Sequence, residues 1–93
     1  MKRYDVLLSE SAVRFLQRVD SKTAARIKNG LRGLVENPFQ NRPKADIKQL
    51  VGSFEPVLHR LRVGNYRIIY AIGRSEVKVT EIIARGKGYK WLE

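Results

Sequence analysis

The sequence predicts an α+β fold of order β-α-α-β-β-β: a small twisted antiparallel sheet with an N-terminal helical hairpin packed on one face. Three observations predict it. Apolar residues recur at helical spacing between residues 12 and 35, with a capping signal midway. Three β-type runs crowd the stretch from Val57 onward. Short turn sequences, Gly64-Asn65 and Gly73-Arg74-Ser75, separate those runs. The 93 residues are expected to form one domain, 1–93.

Tyr4 to Leu8 reads as a first strand. Ser9 is placed to cap a helix, with Glu10 favourable to its dipole. Ala12, Phe15, Leu16 and Val19 then follow at helical spacing. Asp20 or Ser21 caps a second helix, whose apolar positions are Ala24, Ile27, Leu31, Leu34 and Val35. Gly30 and Gly33 each lower its propensity by roughly 1 kcal/mol, and Asn37-Pro38 ends it. Two caps so close together make a helical hairpin whose apolar stripes face one sheet.

Phe39 to Asp46 is polar, contains Pro43 and is expected to be an exposed connection. Lys48 to Val51 reads as a short edge strand or a turn, ended by Gly52, with Phe54 packed beneath the following loop. Three antiparallel strands come next, Val57–Val63, Tyr66–Ile72 and Val77–Ile83. No repeat, linker or low-complexity tract is present.

Charge is the unusual property. The sequence has 19 Lys and Arg against 9 Asp and Glu, a net of +10. Self-repulsion on this scale works against a compact state and points to a polyanionic or acidic partner: nucleic acid, an anionic membrane surface, or an acidic protein. The absence of cysteine excludes disulfides and thiolate metal sites, and a single histidine, His59, excludes a multi-His site. No secretory hydrophobic region or long apolar run occurs, so the expected location is the cytoplasm.

Alternation along the strands sorts the basic residues. Leu58, Arg60 and Arg62 share one face, opposite His59, Leu61 and Val63; Arg67 points away from Tyr66, Ile68 and Tyr70. Arg60 or Arg62 with Arg67 can thus line one concave surface, with Arg85 and Lys87 closing its end and Tyr89 nearby. Arginine suits phosphate because its planar fork binds bidentately and stays charged. The plainer alternative is a solvated sheet face whose arginine stems cover apolar neighbours. Tyr66 and Tyr70 are expected in the core. Trp91 suits a core cap, a base-stacking platform or a partner interface equally.

The run Lys48-Gln49-Leu50-Val51-Gly52, the block from Leu61 to Tyr70, and Arg85 followed four residues later by Tyr89 resemble the RelE/ParE toxin superfamily, and its RelE branch in particular. The resemblance spans nearly the whole sequence in order. It implies a toxin of a type II toxin–antitoxin system. Its activity would be ribosome-dependent, metal-independent endoribonuclease cleavage of mRNA in the ribosomal A site, inhibiting translation. By position, Arg60 is similar to a strand lysine that contacts the cleaved phosphate, Arg67 to the arginine stabilising the transition state, and Arg85 to the C-terminal catalytic arginine. Tyr89 is similar to the tyrosine that orients or stacks on substrate. Lys48, Arg62, Lys87 and Lys90 are expected to bind RNA. Leu58 stands where the best-studied type has a second lysine, leaving the general base open among Tyr89, Lys87 and His59. No cofactor is implied.

Implied partners are mRNA, the ribosome with its 16S rRNA, and a RelB-like antitoxin with an acidic, flexible segment, in a heterotetramer or larger complex. No membrane partner is implied. Two rivals share the residues: a ParE-like DNA gyrase inhibitor, and a non-catalytic basic module that binds nucleic acid or antitoxin.

Overall fold

The structure, a computed structural model, describes residues 3–52 and 55–85. Its elements run β1 (Asp5–Leu8), α1 (Glu10–Arg18), α2 (Ser21–Glu36), β2 (Asp46–Gln49), β3 (Leu58–Val63), β4 (Tyr66–Ile72) and β5 (Glu76–Ala84). The strands form one five-stranded sheet in the order β1-β5-β4-β3-β2. Strands β2 to β5 pair antiparallel, as expected, whereas β1 joins the edge of β5 in parallel. The sheet is therefore mixed. Hydrophobic period identifies a strand but not its neighbour: the helical hairpin leads away from β1, and the β3-β4-β5 meander returns beside it in the same direction.

Both helices start where a short polar side chain can satisfy the first free N–H groups. The Ser9 hydroxyl accepts from the Ala12 N–H at 3.1 Å and donates to the Thr80 carbonyl at 2.7 Å, tying α1 to β5. Asp20 accepts from the Thr23 N–H and hydroxyl, and these bonds hold its carboxyl below the usual carboxylate range. At the other end of α2, Arg42 donates to the Gly33 and Asn37 carbonyls at 3.0 Å, so its guanidinium closes the C-terminus of the helix. The 39–46 connection is exposed, as expected, apart from two residues. Ala45 is buried, Arg42 is half-buried, and the two form a bridge before β2 begins at Asp46, two residues earlier than expected.

Ile27, Leu31 and Leu34 of α2 and Ala12 of α1 pack on Leu61, Ile68, Tyr70, Val77, Val79 and Ile82 of the sheet. Gly30 has a packing reason that propensity does not show: a Cβ there would stand 2.8 Å from Val63 Cγ2, so the helix lies close against β3. Gly64 opens the β3–β4 turn at φ 56°, a conformation glycine adopts without strain.

The other sheet face carries a second, small apolar cluster of Leu50 and Ile69 with Leu58 and Ile83. Leu58 packs there where the resemblance would place a lysine. Phe54, Lys87, Tyr89, Lys90 and Trp91 lie outside the described residues.

Candidate functional site

Register builds the site. Across β2, β3, β4 and β5, one row reads Asp46, Arg62, Arg67, Ile83, and the next reads Lys48, Arg60, Ile69, Glu81. The three strand arginines therefore occupy one face in adjacent rows, as alternation requires. Arg62 and Arg67 stand directly opposite each other, an arrangement of like charges that works against pairing by up to about 1 kcal/mol. A bound anion would reverse that sign.

The three differ in exposure. Arg62 keeps about half its side chain in solvent, at 48%. Arg60 and Arg67 are buried, at 8% and 5%, so the sheet face is no loosely solvated surface. Arg60 Nη1 donates to both the backbone carbonyl and Oδ1 of Asp46, each at 3.1 Å. Arg62 Nε lies 3.8 Å from Asp46 Oδ2. Asp46 is the site residue that sequence reasoning misses. Its alternation with Lys48 along the edge strand is the available signal, legible only once β2 pairs with β3.

Lys48 is exposed and directly opposite Arg60. Arg85, also exposed, follows β5 two residues beyond Ile83, the partner of Arg67; at strand rise this is roughly 7 Å further along the backbone. Its N–H donates to the Asn65 carbonyl at 2.6 Å, so the β3–β4 turn holds its backbone.

His59 does not join them. It faces the helices, with its ring stacked on Tyr70 at 5.6 Å and edge-on to Phe39 at 6.3 Å. Tyr66 and Tyr70 belong to the same side; Tyr66 packs edge-on to Phe15, and Tyr70 is fully buried. Burial pushes the His59 pKa below its ordinary 6.5. A neutral histidine is favoured in the fold, so its stabilising contribution is present above pH 6.5 and is lost as pH falls through the lower folded value. The melting temperature should accordingly drop as pH is lowered below 6.5. His59→Phe should flatten that part of the profile in a pH series of thermal melts; an unchanged profile would assign the dependence to other groups.

A separate groove of about 290 Å³ lies between α2 and β1, lined by Val6, Leu8, Leu31 and Val35 with Lys28 and Arg32 at its rim. Among the described residues, no helix is long and apolar enough to cross a membrane.

Residues 6–88 match the family described as "ParE toxin of type II toxin-antitoxin system, parDE". The sequence is 35% identical to Toxin RelE of Mycobacterium tuberculosis over 89 residues, covering 94% of this protein and 87% of that one. Its structure is similar to the RelE–RelB complex from Pyrococcus horikoshii, with a TM-score of 0.77 at 27% identity, covering 92% of this protein and 99% of that chain. The RelB–RelE antitoxin–toxin complex from Methanococcus jannaschii gives 0.71 at 25% identity, covering 94% and 99%. With its helical hairpin, its five-stranded sheet and these relatives, the chain belongs to the RelE/ParE superfamily of toxins of type II toxin–antitoxin systems.

Proposed function

We propose that this toxin is a ribosome-dependent endoribonuclease that cuts mRNA in the A site and is neutralised by a RelB-like antitoxin. The observation that carries the reading is the row in which Arg62 stands opposite Arg67, with Arg60 in the next row and Arg85 beyond the end of β5. In this reading the ribose 2′-oxygen attacks the adjacent phosphorus as its proton leaves. The bond from phosphorus to the 5′-oxygen breaks, that oxygen takes up a proton, and a cyclic phosphate and a 5′-hydroxyl result. Arg67 and Arg85 neutralise the developing phosphorane; Arg60, Arg62 and Lys48 hold the flanking phosphates. Tyr89, Lys87 and Lys90 complete the set on the strength of the resemblance.

On the arginine face, the described residues offer phosphate clamps without a neutral-range base, since arginine does not deprotonate at physiological pH. Such a site is slow on free RNA. It gains from a partner that holds the RNA in line for attack, where positioning supplies up to roughly 7–11 kcal/mol. The ribosome has that role here, which places the toxin in the cytoplasm. The antitoxin follows from the same charges. An acidic amphipathic segment fits the apolar groove beside α2, whose rim carries Lys28 and Arg32.

The test is primer extension on a defined mRNA with ribosomes stalled at a known codon. A cut within the A-site codon, absent without ribosomes, is the expected result. No cut by folded protein would end the nuclease reading, and inhibition of gyrase supercoiling would then support the gyrase-directed branch.

A further inference from the structure

Asp46 is an acid in direct contact with the arginines of a site read as binding anions, whereas Glu81, at the far end of the Arg60 row, accepts from the Ser11 hydroxyl at 3.3 Å. The Asp46 carboxylate opposes an incoming phosphate, so its presence there needs a reason. Fold stability is a weak one, because the carboxylate is half exposed and ion pairs open to solvent contribute little. Its contacts suggest a stronger one. Three oxygens of this single residue face two arginines: Oδ1 and the backbone carbonyl both accept from Arg60 Nη1 at 3.1 Å, and Oδ2 stands 3.8 Å from Arg62 Nε.

We propose that Asp46 is a positioning residue: it fixes Arg60, and by charge Arg62, so that both stand ready beside Arg67 when a phosphodiester arrives. The proposal rests on the reading of this face as an RNA phosphate site. An arginine loses rotamer freedom when fixed, and three cations in adjacent rows repel one another. Asp46 meets both costs before substrate binds. It also does so from one side only. The Nη1 end of Arg60 is engaged, while its buried Nε has no acceptor among the described residues.

Asp46→Ala and Asp46→Asn separate positioning from a merely structural role. In single-turnover cleavage on programmed ribosomes, Asp46→Ala should slow the chemical step on the order of 10-fold or more, as small misplacements of a reacting group do. Equilibrium binding to a single-stranded oligoribonucleotide should hold or tighten, because a negative charge has been removed. Asp46→Asn should recover part of the rate, since its amide oxygen can still accept from Arg60. Melting temperatures should stay close to that of the wild type. Wild-type rates in Asp46→Ala, or faster ones, would overturn the proposal and make the carboxylate a bystander or a competitor of phosphate. So would a slowing that tracks lost folded protein. If the wild type itself cuts nothing, the nuclease reading fails, and side-chain NMR decides the positioning claim alone. The Arg60 Nε–H signal should be sharp in the wild type and broadened in Asp46→Ala; identical signals would refute the claim.

Discussion

Arg85→Ala is expected to lower ribosome-dependent cleavage by about 10²–10³-fold in kcat, the loss that follows removal of one donor to a developing oxyanion, about 2.7–4 kcal/mol. Melting temperature and antitoxin capture should not change. The expectation rests on where the residue stands. Its side chain is exposed just past β5, and its backbone bond to Asn65 survives the substitution. Arg67 would be a poorer probe of the same idea. It is 5% exposed, so Arg67→Ala would open a cavity and mix a stability loss into the rate. Arg85→Lys refines the test, since it keeps the charge but loses the planar fork. A rate between those of wild type and Arg85→Ala is expected if bidentate contact matters. Single-turnover kinetics beside thermal melts makes the measurement. An unchanged rate for Arg85→Ala would remove that side chain from the chemistry.

The parts of the fold legible in the sequence are those where local pattern and final environment agree. Tyr66–Ile72 is rich in β-branched and aromatic residues and is bounded by turn residues, and β4 spans those residues, buried on both faces through its centre. Ser9 and Asp20 announce the helix starts because capping is a contact between near neighbours. What stays hidden depends on long-range partners. The parallel pairing of β1 with β5 joins residues about seventy positions apart, and nothing in either strand encodes its neighbour. Gly30 reads as a propensity defect in isolation, and only the approach of Val63 gives it a reason.

The site divides along the same line. Alternation is enough to put Arg60, Arg62 and Arg67 on one face, since it needs only the strands and their turn. It does not say how deeply each is buried. Arg60 and Arg67 are covered while Arg62 is half exposed, a difference set by the neighbouring apolar cluster of Leu50, Leu58, Ile69 and Ile83 and by Asp46 on the edge strand. That cluster also explains Leu58. A lysine there would carry its charge into an apolar patch, whereas leucine completes the patch.

Tyr70 tests the opposite side of the sheet. The side chain is fully buried, its ring stacks on His59, and its hydroxyl donates to the Pro38 carbonyl at 2.7 Å. Burial pushes its phenol well above the ordinary tyrosine range, so the hydroxyl stays protonated and able to donate. It thereby ties β4 to the turn that ends α2. Tyr70→Phe should cost about 0.5–1.5 kcal/mol for the lost hydrogen bond, a fall of several degrees in melting temperature for a domain of this size. Tyr70→Ala removes the ring as well and should cost about 3–5 kcal/mol, as truncation of large buried aromatics does. At about 4–8 °C per kcal/mol, its melting temperature should fall by more than about 12 °C. Cleavage per folded molecule should be unchanged in Tyr70→Phe, because Tyr70 and Arg67 lie three residues apart on opposite faces of β4. Thermal melts paired with cleavage normalised to folded protein make the comparison. A normalised rate that drops in Tyr70→Phe would mean that the two faces communicate through β4, and that the core below the arginines sets their geometry as well as their stability.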